Sequence, residues 1–220
     1  MSVNDKNFID DRPFPSWARF PDFIGSAGHG EDQIVIDYYK NKKNFDKKLV
    51  VDIGAADGIT ASNSRRLIIE ENWEAILIEP MNIFVEFLHK IYCNNSNVKI
   101  LPFACDKEEK VSSLFINKDQ SEIGLSSLIP FGNTIIQEIE TKRFSNLVQN
   151  KRIDFLSIDA EGKDLDIIQD IDLNIYDIEV ICIEHTHAQI ADLIKQHLLQ
   201  NNYELSHVTD WNWIFIKKYI

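Results

Sequence analysis

Short apolar runs rich in β-branched residues recur along the chain, separated by segments of mixed polarity. Five of these runs predict buried parallel strands at residues 48–53, 75–79, 98–103, 153–159 and 178–184. Helices are predicted from residue 31 onward and at residues 61–71, 82–93, 163–170 and 187–201. This alternation of strand and helix predicts an α/β fold with a doubly wound, mostly parallel sheet.

Two further strand-like runs, residues 203–208 and 212–217, come near the end of the sequence. Only Thr209, Asp210 and Trp211 separate them, so they are predicted to form a hairpin. The hairpin would close the otherwise parallel sheet with an antiparallel C-terminal strand. The sheet of the common dinucleotide-binding proteins lacks that strand.

Two regions depart from the regular repeat. Residues 110–140 contain strand-like segments at 111–116 and 134–139 around a stretch bearing serine and glycine, and we expect them to form an insertion over the ligand cleft. Residues 1–30 carry three prolines among aromatic residues and are expected to form an extended N-terminal arm.

Length and composition predict one soluble domain over residues 1–220. No apolar run reaches the roughly 20 residues of a membrane span, and the N-terminus lacks the pattern of a secretory signal. The three cysteines have neither CxxC spacing nor an even number, which predicts reduced thiols in a cytoplasmic protein.

The formal net charge of −12 disfavours nucleic acid and anionic membranes as partners, because both are attracted by clustered Lys and Arg. A small-molecule or glycan substrate is more compatible with this charge. The sequence leaves open whether the protein forms a homodimer.

A glycine-containing loop, DIGAADG at residues 52–58, follows the first predicted strand. Open α/β sheets bind ligands at the carboxyl ends of their strands, and Gly54 and Gly58 would let the backbone pass close to a bound molecule. The loop has neither the GxGxxG spacing of pyrophosphate-binding loops nor the Lys-Ser/Thr pair of a P-loop. Asp52 and Asp57 would repel phosphates and tolerate the positive charges of S-adenosylmethionine, which we therefore expect as the cofactor.

Two acids after the next strands extend this hypothesis. Glu79 ends the second predicted strand, where a carboxylate can accept hydrogen bonds from both ribose hydroxyls. Asp106 follows the third strand and is placed to accept a bond from the adenine amino group. In the alternative interpretation the glycines are plain turn residues and the two acids play no part in ligand binding.

These residues and several others resemble the FkbM family of methyltransferases, most of whose members methylate hydroxyls of sugars and related natural products. The similarity extends through most of the chain. Its marks are residues 30–32 (GED), 51–55 (VDIGA), 62–64 (SNS), 73, 76–80 (ILIEP), 126–128 (SSL) and 153–162 (IDFLSIDAEG).

The resemblance implies a Rossmann-like class I methyltransferase fold and a set of cofactor-binding residues. It assigns the cofactor to Asp52, Gly54, Ala55, Asp57 and Glu79, with Glu31 and Asn63 near its methionine end. One departure is the pair at residues 27–28, Ala-Gly, where similar proteins have Ser-Gln. The insertion would then select the acceptor.

Methyl transfer to a hydroxyl needs a general base, a divalent cation that lowers the pKa of the hydroxyl, or both. Asp159 and Glu161 follow the fourth strand, while Glu184, His185 and His187 follow the fifth. We expect His185 or Glu161 to be the base and Asp159 to orient the substrate or the methionine moiety. Alternatively, Glu161 caps the next helix and Asp159 is structural. His187 is expected to start a surface helix.

The same strand ends offer ligands for a metal. Asp159, Glu184 and His185 carry oxygen and nitrogen donors of the kind that bind Mg²⁺ or Mn²⁺, and they form the candidate metal site. The sequence also leaves open an amine, carboxylate or protein side chain as acceptor, or a non-catalytic module that binds S-adenosylmethionine. The glycine spacing disfavours a dehydrogenase.

Overall fold

A computed structural model describes residues 26–40, 42, 47–118 and 126–219. Its strands are β1 (Leu49–Ile53), β2 (Glu74–Ile78), β3 (Val98–Leu101), β4 (Ala104–Cys105), β5 (Lys110–Asn117), β6 (Thr134–Lys142), β7 (Arg152–Ile158), β8 (Asp177–Glu184), β9 (Tyr203–Val208) and β10 (Asn212–Lys217). Its helices are α1 (Glu31–Lys40), α2 (Arg65–Ile69), α3 (Asn82–Ile91), α4 (Phe144–Leu147), α5 (Asp164–Asp170) and α6 (Ala188–Gln200). Residues 1–25 of the predicted N-terminal arm lie outside the described residues.

The main sheet has seven strands in the order β3-β2-β1-β7-β8-β10-β9. Neighbouring strands from β3 to β8 pair in parallel, while β10 runs antiparallel to both β8 and β9. The doubly wound sheet and its antiparallel C-terminal strand are therefore confirmed. The order of the strands reverses between β1 and β7, which is the position where open α/β sheets bind their ligands.

Apolar residues fill both faces of this sheet. In β1, Leu49, Val51 and Ile53 belong to one buried cluster and Val50 to the other, because successive side chains of a strand point to opposite faces. Helices α1 and α2 contribute to the Val50 cluster, and α4, α5 and α6 contribute to the opposite one. A strand buried on both faces explains why β1 reads as a continuous apolar run.

Two elements differ from their predicted extents. The helix predicted at residues 61–71 covers only Arg65–Ile69, because Ser62, Asn63 and Ser64 form a turn whose side chains are engaged in hydrogen bonds. The strand predicted at residues 98–103 ends at Leu101 in the main sheet. Pro102, which has no N–H to donate, follows directly, and the chain then enters a second sheet.

The second sheet has three strands in the order β4-β6-β5. Strands β5 and β6 pair antiparallel from Lys110 opposite Thr141 to Asn117 opposite Thr134, and most of their residues lie in the region predicted to be an insertion. An isolated bridge between Phe115 and Ser127 attaches residues 126–129 to β5. This sheet brings Leu114 and Leu128 towards the carboxyl end of the main sheet.

Candidate active site

A cleft opens at the carboxyl ends of β1, β2 and β7. Its cavity volume is about 120 Å³. Its lining residues are Ile53, Gly54, Ala56, Ile78, Glu79, Pro80, Met81, Phe84, Phe103, Ala104, Cys105, Leu114, Ser126, Leu128, Asp159, Ala160, Glu161 and Lys163. Four of the residues predicted to form the site therefore line the same cleft. They follow β1, β2 and β7 and are Gly54, Glu79, Asp159 and Glu161.

Gly54 lets the ends of β1 and β7 come close together. It has a φ of +85°, and a Cβ added there would lie 1.9 Å from the backbone oxygen of Asp159. The amide of Asp159 donates to the carbonyl of Ile53 at 3.0 Å, so the two loops are also joined by a hydrogen bond. Glycine is therefore required at this position by the neighbouring loop, whether or not a ligand is bound.

Gly58 lies against helix α3, and its predicted contact with the cofactor stays a prediction. Its φ is +65°, and a Cβ there would lie 2.5 Å from Cδ2 of Leu88 on α3. Its carbonyl accepts from the hydroxyl of Tyr92 at 3.3 Å. Gly58 is absent from the cleft wall, so its small size allows the loop to pack on α3.

Asp57 holds the glycine loop in shape from within. Its Oδ1 accepts from the amides of Ile59 at 2.9 Å and Thr60 at 2.7 Å, and its Oδ2 accepts from the Thr60 hydroxyl. Its side chain is fully buried and does not line the cleft. The structure gives Asp57 a turn-forming role of the kind that short acidic side chains often have.

Behind the loop, Asp52 and Asn63 connect β1, the turn before α2 and β7. Asp52 accepts from the Ser64 hydroxyl at 2.6 Å, and the Asn63 amide donates to the Ser157 hydroxyl at 3.1 Å. Burial raises the pKa of Asp52 above its usual value. Ala55, Asp52 and Asn63 are buried, and none of them is among the lining residues.

Glu79 is the acid at the end of β2 and lies in the cleft wall. Its Oε2 accepts from the Ala56 amide at 2.9 Å and its Oε1 from the Met81 amide at 2.8 Å. Burial raises the pKa of Glu79 to about 7, although the two amide bonds act in the opposite direction. A carboxylate has about four acceptor positions, so two remain for a ligand.

Apolar side chains line the cleft beside Glu79. Met81 and Phe84 come from the start of α3, Phe103 from the segment between β3 and β4, and Leu114 and Leu128 from the second sheet and its attached segment. Met81, Phe84 and Leu114 are almost completely buried. A ligand with a flat ring joined to two neighbouring hydroxyl groups would fit here, because the apolar wall can contact the ring and the buried carboxylate can bind the hydroxyls.

Acidic side chains gather where β7 and β8 end. Burial, followed by the charges of Glu184 and Glu161, raises the pKa of Asp159 well above its usual range. Burial and then Glu184 raise the pKa of Glu161 to about 8. Both residues line the cleft, and their raised pKa values mean that these carboxyl groups keep their protons up to a higher pH than usual.

The loop after β7 holds Glu161 in a fixed position. Glu161 has a φ of 49° and is followed by Gly162 at 96°. Asp164 accepts from the amides of Ala160 at 3.0 Å and Gly162 at 3.1 Å, and the Ser127 hydroxyl donates to the Glu161 carbonyl at 2.8 Å. Helix α5 has no side-chain cap, so Glu161 does not cap it.

His185 and His187 lie on different sides of the end of β8. The Nε2 of His185 lies 3.0 Å from the carbonyl oxygen of Thr209, and its ring stacks on Trp213. The Nε2 of His187 lies 3.3 Å from Glu184 Oε2 and 4.0 Å from Glu161 Oε2. His187 rather than His185 therefore lies beside Glu184, because Glu184 and His185 are consecutive and their side chains point apart. The predicted roles of His185 in catalysis and metal binding stay predictions.

Two other predicted cofactor residues lie away from the cleft wall. Glu31 is buried and accepts from the Thr209 hydroxyl at 2.6 Å and the Asn212 side-chain amide at 3.0 Å, which ties the start of α1 to the C-terminal hairpin. Asp106 is also buried and lies 3.3 Å from the Lys163 ammonium group. Their roles in cofactor binding stay predictions.

Sequence comparison identifies the family. The sequence matches the methyltransferase FkbM domain over residues 52–205, which is more than half of the chain, so this protein belongs to the FkbM methyltransferase family. No curated protein matches the sequence. In the part of the chain that the structure describes, no helix combines the length and the apolar character needed to cross a bilayer.

Solved structures share the fold. The methyltransferase FkbM from Methylobacillus flagellatus KT is similar to this chain with a TM-score of 0.55 at 16% identity, covering 81% of this chain and 46% of that one. The METTL16 MTase domain has a TM-score of 0.52 at 11% identity, covering 86% and 66%. These likenesses confirm the Rossmann-like class I methyltransferase fold, and this chain spans about half the length of the Methylobacillus protein.

Some residues of the site were not predicted from the sequence. The apolar wall was missed because its members come from four separate segments, and only the second sheet brings Leu114 and Leu128 beside Met81. Lys163 and Asp164 were likewise not singled out. The three-residue spacing of Glu184 and His187 was a usable signal for their contact.

Proposed function

We propose that this protein is an S-adenosylmethionine-dependent O-methyltransferase that acts on a hydroxyl of a sugar, a glycan or a related small molecule. The proposal rests on membership of the FkbM family together with one observation. Glu79, a buried carboxylate with acceptor positions to spare, lies at the end of β2 between the glycine loop and an apolar wall.

The donor set of the cleft fits S-adenosylmethionine in three respects. Glu79 would accept from the ribose hydroxyls, and the wall that includes Met81 and Phe84 would cover the adenine ring. The carboxyl groups of Asp159 and Glu161 lie at the end of the cleft where the positively charged part would be stabilised. When bound, the cofactor supplies a methyl group activated by a positively charged sulfur.

The other predicted cofactor residues support this site from behind. Asp57 and Gly58 shape the loop, and Asp52 and Asn63 connect it to its neighbours. In this proposal Gly54 faces the cofactor and also fixes the distance between the β1 and β7 loops. Rigid support of this kind keeps reacting groups in a productive geometry.

The chain's own task in the reaction is to hold the acceptor and receive its proton. Asp159 and Glu161 line the cleft, and a raised pKa suits a carboxyl group that takes a proton near neutral pH. We propose that one carboxylate of this pair is the base and that the other orients the acceptor. His185 is less suited to the role, since its Nε2 faces the Thr209 carbonyl.

The charge of the protein favours a neutral acceptor. Its formal net charge is −12, so a phosphate-bearing acceptor such as a nucleic acid would be repelled. A hydroxyl compound without phosphates meets no such repulsion. Residues 126–128 and β5 supply part of the cleft wall, and we propose that this region selects the acceptor.

A transfer assay tests the proposal. The protein is incubated with methyl-labelled S-adenosylmethionine and a panel of neutral glycosides, oligosaccharides, an amine, a carboxylic acid, a protein and an RNA oligonucleotide. We expect label in an alkali-stable ether on a hydroxyl compound. Label on the amine, the carboxylic acid, the protein or the RNA alone would overturn the assigned acceptor.

Variants then test the base. Asp159→Asn and Glu161→Gln remove the two candidate carboxylates, and loss of a general base typically lowers the rate by about 10²–10⁴-fold. Asp177→Asn is the matched control, because it removes an exposed acid from the opposite end of β8. Full activity of both cleft variants would contradict the role of this pair.

A further inference from the structure

We propose that Glu161, Glu184 and His187 form a binding site for one divalent cation of the Mg²⁺ or Mn²⁺ type beside the cleft. Within the described part of the chain, these three residues bring one ligand atom each to within 4.8 Å of one another. Two carboxylate oxygens and one imidazole nitrogen are donors that such cations accept. This donor set differs from the one predicted from the sequence.

The spacing of the donor atoms suits a single ion. Nε2 of His187 lies 3.3 Å from Oε2 of Glu184 and 4.0 Å from Oε2 of Glu161. With metal–ligand bonds of about 2.1 Å, neighbouring donors are about 3.0–3.6 Å apart and opposite donors about 4.2 Å apart. The observed separations therefore require only small side-chain adjustments to surround one cation.

Two of the three donor atoms lack any other partner among the described residues. Glu184 Oε2 and His187 Nε2 are shielded from solvent, and neither makes a hydrogen bond. Their mutual contact of 3.3 Å does not have hydrogen-bond geometry. Buried polar atoms are normally satisfied, so two of them facing each other indicate that a bound species belongs between them.

Electrostatics supports a cation at this position. Glu161 and Glu184 each bring a carboxylate oxygen into the cluster, and Asp159 lies two residues before Glu161. Lys163, the cationic residue of the cleft wall, forms its ion pairs with Asp106 and Asp166. A divalent cation would neutralise the excess negative charge.

The three ligands are held by rigid elements. Glu184 ends β8, His187 directly precedes α6, and Glu161 lies in the loop that Ser127 and Asp164 hold in place. The three residues thus come from adjacent strand ends and one helix start. Only Glu161 also lines the cleft, so the cation would lie at the margin of the cleft.

A function for the ion follows from its position, and this part of the inference rests on the proposed function. A cation bound to Glu161 lies next to the region assigned to the acceptor, where it would lower the pKa of a bound hydroxyl. One oxygen of Glu161 belongs to the cluster, so cation binding leaves its second oxygen available to the acceptor. The cation and the carboxylates would then act on the same proton.

Pulsed electron paramagnetic resonance with Mn²⁺ as the probe tests the site without any turnover. We expect one Mn²⁺ per chain and a ¹⁴N coupling from a directly bound imidazole. His187→Gln should abolish the coupling, whereas the matched control His185→Gln should retain it. Glu184→Gln should weaken Mn²⁺ binding by at least about tenfold, and circular dichroism confirms that each variant is folded.

Three results would overturn the site: no saturable Mn²⁺ binding by the folded wild type, a ¹⁴N coupling that persists in His187→Gln, or one that disappears in His185→Gln. If a histidine variant does not fold, the Mn²⁺ affinity of Glu184→Gln still tests the site. Calorimetry with S-adenosylhomocysteine on the same samples separates the two proposals. Binding of Mn²⁺ without the nucleoside contradicts the proposed function alone, and the reverse result contradicts the metal site alone.

Discussion

Glu79 illustrates how the surroundings of one side chain define its use. Two backbone amides orient its carboxylate, and burial raises its pKa to about 7. Below that pH the group is mainly protonated, and one oxygen then carries a hydrogen that ribose hydroxyls must accept. Above it both oxygens are acceptors, which is the form that the proposed diol contact needs.

The affinity for S-adenosylhomocysteine should therefore rise with pH. With a pKa of about 7, the ionised fraction of Glu79 grows from about 10% at pH 6 to about 90% at pH 8, so we expect about tenfold tighter binding at pH 8. Calorimetry at both pH values measures this change. Glu79→Gln is the control, because it keeps the dependence due to the ligand's own amino group. Identical pH profiles for wild type and variant would contradict the role of Glu79.

Residue types and strand ends were sufficient to predict part of the site. Glu79, Asp159 and Glu161 were placed in the cleft by the rule that ligands bind at the carboxyl ends of parallel strands. The choice between His185 and His187 was not available from that rule. It depends on which way the chain turns after β8, and that turn is fixed by packing against the C-terminal hairpin.

At the scale of elements, the loops after β1 and β7 form one unit. The Gly54 position touches the backbone of Asp159, and the amide of Asp159 bonds to the carbonyl of Ile53. The loop that shapes the proposed cofactor site is therefore in direct contact with the loop that carries the proposed base. A substitution that moves one loop should therefore also move the other.

Gly54→Ala tests this contact. Its methyl group would need to avoid a backbone oxygen 1.9 Å away and to adopt a φ of +85°, so we expect a loss of at least about 2 kcal/mol in the free energy of unfolding. For a chain of this size, that corresponds to a melting temperature lower by about 4–8 °C. The control is Gly132→Ala, where an added Cβ meets nothing within 4 Å. Equal melting temperatures for the two variants would refute the argument.

Element prediction worked best where burial alone determines the pattern. The strands at the centre of the sheet and the terminal hairpin were predicted closely because apolar runs and a three-residue connection are local signals. The turn at residues 62–64 was mistaken for helix, since its structure depends on bonds to Asp52 and Ser157 in other strands. The pairing of β4 with β6 is likewise a contact that no local pattern contains.

At the scale of the whole molecule, the topology brings every proposed chemical group to one edge of the sheet. The proposed cofactor residues follow β1 and β2, the proposed base and cation ligands follow β7 and β8, and the second sheet lies against the same cleft. The C-terminal hairpin reaches that edge as well and binds Glu31 at the start of α1. Residues far apart in sequence are thus combined in one site.

Binding of S-adenosylhomocysteine to the purified wild-type protein tests the central claim most directly. Isothermal calorimetry at pH 8 should give saturable binding of one molecule per chain, and Glu79→Gln should bind more weakly by about tenfold or more, because hydrogen bonds to a charged group contribute about 1.5–3 kcal/mol. Absence of saturable binding by a protein that circular dichroism shows to be folded would contradict the account.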